Sequence, residues 1–176
     1  MGWELTAEKQ QEILHQRARE LSTPKNDGLS LVENGMLIVK FLLAKELYGI
    51  ETRFVQEVLP LKELTMIPGT PAFIMGVINV RGKIFPVLDP KIFFNLPERG
   101  ITDFNKVILI DYELKHFGIL TDAIRGTEVI RSGSLNPAPY TVSGIGNEFV
   151  QGITKDGLII LKTEALINSQ HIIVNQ

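Results

Sequence analysis

Few residues in this chain are able to do chemistry, and their spacing departs from each catalytic or ligand-binding pattern in turn. Residues 76–83 start on Gly76 and end on Gly82-Lys83, the ingredients of a phosphate loop. Five residues separate those glycines where a nucleotide loop has four, and Ile84 stands where a metal-binding Ser or Thr is required. The segment also lies between two strand-like runs instead of opening a helix. Gly144-Ile145-Gly146 starts a dinucleotide-type pattern, but Phe149 occupies the third glycine position and no helical pattern follows. His15, His116 and His171 are too scattered for a metal set, and there is no cysteine, so thiol nucleophiles, disulfides and zinc–thiolate sites are excluded. Asp89 and Asp122 close apolar runs, where an Asp more often caps a turn or helix than moves a proton. No nucleophile elbow surrounds any serine. The residues predict neither catalysis, metal nor cofactor.

The composition fits a protein of that kind. A 176-residue chain, 44% hydrophobic and 22% charged, makes one domain or two small ones. At this size about 70% of the extended-chain surface is buried, enough for a substantial core. The net charge of -2, without a Lys/Arg run, offers nothing to a phosphate backbone. Phe41, Phe54, Phe73, Phe85, Phe93 and Phe94 stand among apolar residues, which marks core and not a base-stacking platform. The N-terminus lacks a basic segment followed by an apolar run, and the longest apolar stretches are strand-length. The expectation is a soluble cytoplasmic protein that neither inserts into membrane nor binds nucleic acid.

Two kinds of element must position whatever the chain does. Residues 7–21 are strong helix formers without Gly or Pro, and Ile13, Leu14, Ala18 and Leu21 make one apolar stripe. Either the body of the protein or a partner covers that stripe. A polar, glycine-containing linker follows at 25–35. From residue 36 the pattern changes to short β-rich runs, at 36–43, 48–51, 74–80, 83–88, 107–112, 116–120, 150–155 and 158–161. Arg81-Gly82 and Asp156-Gly157 each separate two runs by two residues, as tight hairpins require. Short helices are expected at 91–95 and 164–168.

The runs also repeat. Tyr48-Gly49-Ile50 returns as Phe117-Gly118-Ile119, and Phe73 to Val77 returns as Phe149 to Ile153, at offsets of 69 and 76 residues. Two elements recurring in the same order indicate a duplicated β unit, near 41–89 and 107–166.

The stretch from Tyr48 through Val58 resembles the first signature of CheW-type coupling proteins. The gapless stretch from Ile67 through Asp89, IPGTPAFIMGVINVRGKIFPVLD, resembles the second. The likeness continues more loosely through residues 117–122 and 140–166. It implies a mainly β fold of two small five-stranded SH3-like barrels packed together, with an N-terminal helical extension (1–24), the adaptor domain at 36–170 and a tail at 171–176. It implies a non-catalytic adaptor without cofactor. Its partners would be the cytoplasmic tip of chemoreceptors and the regulatory domain of the histidine kinase CheA, and it would be recruited to receptor arrays at the membrane. A divergent scaffold for another two-component kinase is the alternative; a small ligand- or nucleic-acid-binding barrel is the third. By position, Val55, Gln56, Glu57 and Arg81 would line a receptor groove from one half and Ile124 from the other. From the residues alone, Val55 and Val58 read equally as core or as partner contacts, and Gln56 and Glu57 as a solvated face or as partner contacts. Arg81, held in a tight turn, suits carboxylates or carbonyls of a partner helix. Gly49, Gly76, Gly82, Gly118 and Gly152 are expected to serve turns, bulges or close strand approach. Three departures from the family pattern are Thr127 in place of an apolar residue, Pro90 after Asp89, and Lys162-Thr163 after the last strand.

Overall fold

The computed structural model describes residues 35–97, 100–113, 115–137 and 147–169, all within the unit Gly35–Gln176. The expected N-terminal helix, most of the linker, the Gly144-Ile145-Gly146 pattern and the tail lie outside the described residues.

Strands β1 (Gly35–Leu43) and β2 (Glu46–Glu51) form an antiparallel hairpin, and a 3-10 turn at Thr52–Phe54 leads into β3 (Val55–Pro60). A second hairpin, β4 (Ile74–Val80) and β5 (Lys83–Leu88), ends in the short helix α1 (Pro90–Phe93). Then follow β6 (Lys106–Tyr112), β7 (Lys115–Thr121), β8 (Ala123–Arg131), β9 (Val150–Ile153), β10 (Ile159–Leu161) and α2 (Thr163–Asn168). They make two five-stranded sheets of orders β8-β1-β2-β10-β9 (barrel A) and β3-β6-β7-β5-β4 (barrel B). Each sheet curls shut the same way. Beyond β3, Thr65 exchanges both backbone hydrogen bonds with Val77 of β4; beyond β8, Asn136 does so with Ile153 of β9.

The two sheet orders are equivalent strand for strand, with β1 matching β6, β2 matching β7, and β8 matching β3. Yet neither barrel is one half of the sequence. Barrel A combines the first hairpin with the last three strands, and barrel B takes everything between. The connections force this exchange. To pair beside β1 in its own half, β3 would start near the level of Phe41, across two strands from Glu51, which lies opposite Ile38. That straight-line span is about 14 Å from strand rise and spacing. Three linking residues reach about 14 Å when fully extended, which leaves nothing for the detour around β1 that lies in between. The return link, Asp122 alone, is shorter still.

Alternation along the strands sorts side chains into three apolar clusters. Ile38, Ile130, Leu158 and Ile160 fill barrel A. Ile78, Phe85, Val87, Val107, Leu109 and Leu120 fill barrel B. The largest cluster lies between the barrels and draws on both, including Phe41, Tyr48, Ile50, Phe54, Ile108, Ile110, Phe117 and Ile119. Gly49 and Gly118 stand at equivalent places. A Cβ on Gly118 would come within 2.5 Å of a Val107 methyl in barrel B, and one on Gly49 would collide with Ile38 in barrel A. Gly76 and Gly152 leave room for the closing segments, at the carbonyls of Thr65 and Asn136. Gly82 supplies a positive φ of 86° for the turn after Arg81.

Candidate partner-binding groove

The chain passes between barrels twice, at Thr52–Phe54 and at Asp122, and a residue of the expected groove set lies within two positions after each crossing. Val55 opens β3 opposite Ile110; Ile124 lies near the start of β8 opposite Phe41. Both are half-buried against the inter-barrel cluster, one from each barrel. Each strand then bulges, at Gln56 in β3 and opposite Lys40 in β8. A bulge shifts the alternation by one, so the residues beyond it return to the inter-barrel side. Val58 thereby opposes Ile108, and Thr127 opposes Val39. Directly opposed residues share a face of the sheet. Val58 and Thr127 thus border the same junction, and both are exposed.

This corrects the reading of Val58 as core and of Glu57 as fully outward. Val58 is 37% exposed, while the Glu57 side chain keeps only 21% of its accessible surface. The bulge at Gln56 puts both Val55 and Val58 on the inter-barrel side, where Val58 stays at the open border, and Arg81 clasps the Glu57 carboxylate. Gln56 itself is exposed.

Arg81 and Glu57 come together. Both terminal guanidinium nitrogens donate to the two Glu57 carboxylate oxygens, each at 3.0 Å. Arg81 sits at φ 52°, a conformation that only a tight turn of this type imposes on it, and Asn79 Oδ1 accepts the Gly82 N–H at 2.8 Å. The guanidinium therefore already has a carboxylate partner in its own chain. Its side chain is still 76% exposed, so its remaining N–H groups face outward at the rim.

The two aspartates at strand ends serve structure. Asp89 caps α1, accepting the Lys91 N–H at 2.9 Å. Asp122 uses both oxygens. One accepts the Ala44 N–H at 2.7 Å, and the other takes Lys91 Nζ at 2.6 Å and Asn105 Nδ2 at 3.3 Å. Lys91 is almost fully enclosed, its side chain 2% exposed. Asp122 thus ties the barrel A hairpin turn to the α1 helix of barrel B at the return crossing. The sequence reading does not single out Lys91 or Asn105; for Lys91 the signal is a polar residue beside Ile92-Phe93-Phe94, and for Asn105, between Phe104 and Lys106, there is none. Among the described residues, no group of His, Cys, Asp and Glu could hold a metal ion, and no helix is long and apolar enough to cross a membrane.

The CheW-like domain family matches residues 37–171. The chain belongs to that family. Its relatives include the chemotaxis protein CheW of Klebsiella aerogenes, 30% identical over 139 residues that span 77% of this chain and 84% of the relative. The chemotaxis protein CheW of Treponema pallidum is 28% identical over 142 residues, with the same shares covered. Among solved structures, the scaffolding protein TtCheW from Thermoanaerobacter tengcongensis matches with a TM-score of 0.69 and 36% identity, over 78% of this chain and 90% of that one. The mainly β, two-barrel fold and the likeness to these proteins agree, and the chain is a CheW-like scaffold of chemotaxis signalling.

Proposed function

We propose that this scaffold is a non-catalytic adaptor that couples the cytoplasmic tips of chemoreceptors to the regulatory domain of CheA, and that the inter-barrel groove receives the receptor's helical hairpin. The observation that carries this reading is the placement of Val55 and Ile124 beside the two crossings, against one apolar cluster. A helix laid in such a groove inserts apolar side chains at the floor and meets polar groups at the rim. The Arg81–Glu57 pair supplies that rim on barrel B. The adaptor works from residues 36–170, in the cytoplasm, and is drawn to the membrane through receptors. Individual contacts need only be weak, because repeated contacts in an array supply avidity.

Co-sedimentation of the full chain with receptor-containing membranes, with and without CheA, tests the reading. The expected result is sedimentation with receptors that rises when the kinase is added. No sedimentation in either condition overturns it and favours a scaffold for another kinase pathway. Arg81→Ala is expected to weaken receptor binding about tenfold, the scale of one charge-assisted hydrogen bond. Stability should fall by no more than about 1 kcal/mol, since the pair is exposed. Unchanged sedimentation of that variant would remove Arg81 from the groove.

A further inference from the structure

The groove has two walls of matching backbone and unequal chemistry. Val55 and Ile124 are 69 residues apart, as are Val58 and Thr127. Each pair faces equivalent partners across its own sheet: Ile110 and Phe41 for the first, Ile108 and Val39 for the second. Valine and threonine have nearly the same shape and differ by a methyl against a hydroxyl. The charged rim is unequal too. Where barrel B has Glu57 clasped by Arg81, barrel A has Gly126, 69 residues on and without a side chain.

A groove of this near-two-fold form offers a helix similar shape in either direction. Only polarity distinguishes the two. We propose that Thr127, set against Val58, fixes the direction in which a partner helix lies. The helix places an apolar side chain beside Val58 and a hydrogen-bonding one beside Thr127. The reason is an asymmetry of cost. A hydroxyl facing an apolar side chain in a closed contact loses its water partners, and a polar side chain set on Val58 gains no hydrogen bond from the valine. This inference rests on the reading of the groove as a helix-binding site.

The test uses the full chain and a soluble chemoreceptor tip fragment bearing a nitroxide at one end or the other of the helix that enters the groove. Broadening of the Val55 and Ile124 methyl signals reports which barrel lies near the label. For the unaltered chain each label should broaden one barrel's methyl and spare the other. Thr127→Val should make both labels broaden both methyls and weaken binding about 2- to 10-fold, the range of one neutral hydrogen bond. Thr127→Ser should restore one-sided broadening. Val58→Thr, which makes the two walls alike at this position, should also give two-sided broadening. Thermal melting of each variant should be unchanged, as both positions are exposed. One-sided broadening and full affinity in Thr127→Val would overturn the direction proposal while leaving the receptor reading standing. Failure of the unaltered chain to bind the fragment overturns the receptor reading and this inference with it.

Discussion

Barrels A and B share a strand order, a mode of closure and a glycine at the same crowded point, yet they are filled differently. In barrel B, Leu109 is fully buried in the interior and Leu59 packs beside it. The equivalent residues of barrel A are Lys40 and Glu128, which form an ion pair at 2.7 Å with side chains 25% and 46% exposed. Glu128 also lines an open cavity of about 280 Å³ at that end, with Arg131, Thr154 and Asp156. Among the described residues barrel A therefore has the smaller apolar interior, and charge occupies a place that barrel B fills with leucine. The difference shows that the fold does not depend on two equal cores. The cluster between the barrels is what both halves share, and it lets one interior be thin.

Three perturbations, in falling order of effect, test this contrast. Asp122→Ala strikes the tie between barrels. It leaves the enclosed Lys91 ammonium with the more distant Asp89 carboxylate, 4.0 Å away, and removes the acceptor of the Ala44 N–H. A loss of about 3–5 kcal/mol is expected, measured by urea unfolding. A loss below about 1 kcal/mol would mean that the junction is held by its apolar cluster alone. Next, Leu109→Ala should cost about 2–5 kcal/mol through the cavity it leaves, whereas Lys40→Ala at the matching place should cost less than about 1 kcal/mol. Equal losses from the two would erase the contrast between interiors. The smallest effect concerns the helices that follow each barrel's parallel strand. Asp89 caps α1 with its carboxylate, while Lys162 at the start of α2 makes no side-chain cap. Asp89→Ala should lose about 1 kcal/mol and Lys162→Asp should gain a similar amount, read from melting temperature. A Lys162→Asp variant with an unchanged melting temperature would place the difference in packing and not in capping. Thr163, next along, has its buried hydroxyl without a hydrogen-bond partner among the described residues, consistent with a poorly served helix start.

Much of the fold was legible as hairpins. The runs expected at 74–80 and 83–88 coincide with β4 and β5, and the other apolar runs fall within a few residues of their strands. Both short helices were anticipated to within a residue or so at their starts. Strands β3 and β8 were not marked as strands. Gln56, Glu57 and Pro60 interrupt the first, and Arg125, Gly126, Thr127 and Glu128 the second. Both bulge, which destroys the alternation by which a strand is recognised. The same bulges hid that Val58 and Thr127 take matching places on their sheets, opposite Ile108 and Val39. The resemblance pointed to Val55, Gln56, Glu57, Arg81 and Ile124; it did not reveal that Arg81 is already paired with Glu57, because the bond joins a hairpin tip to a strand 24 residues earlier.

By itself the sequence determined that the chain is mainly β, that its units repeat, and that its glycines stand where turns or crowded strands need them. These are local properties, set by hydrophobic period, turn chemistry and the absence of a Cβ. Only the tertiary structure decided which hairpin closes with which strands. A repeat is equally consistent with two barrels each closed on itself and with two barrels that exchange halves, since the same side chains are buried either way. The choice rests on reach. Three residues at Thr52–Phe54 and the single Asp122 are too few to carry the chain back across its own hairpin, so each half completes the other.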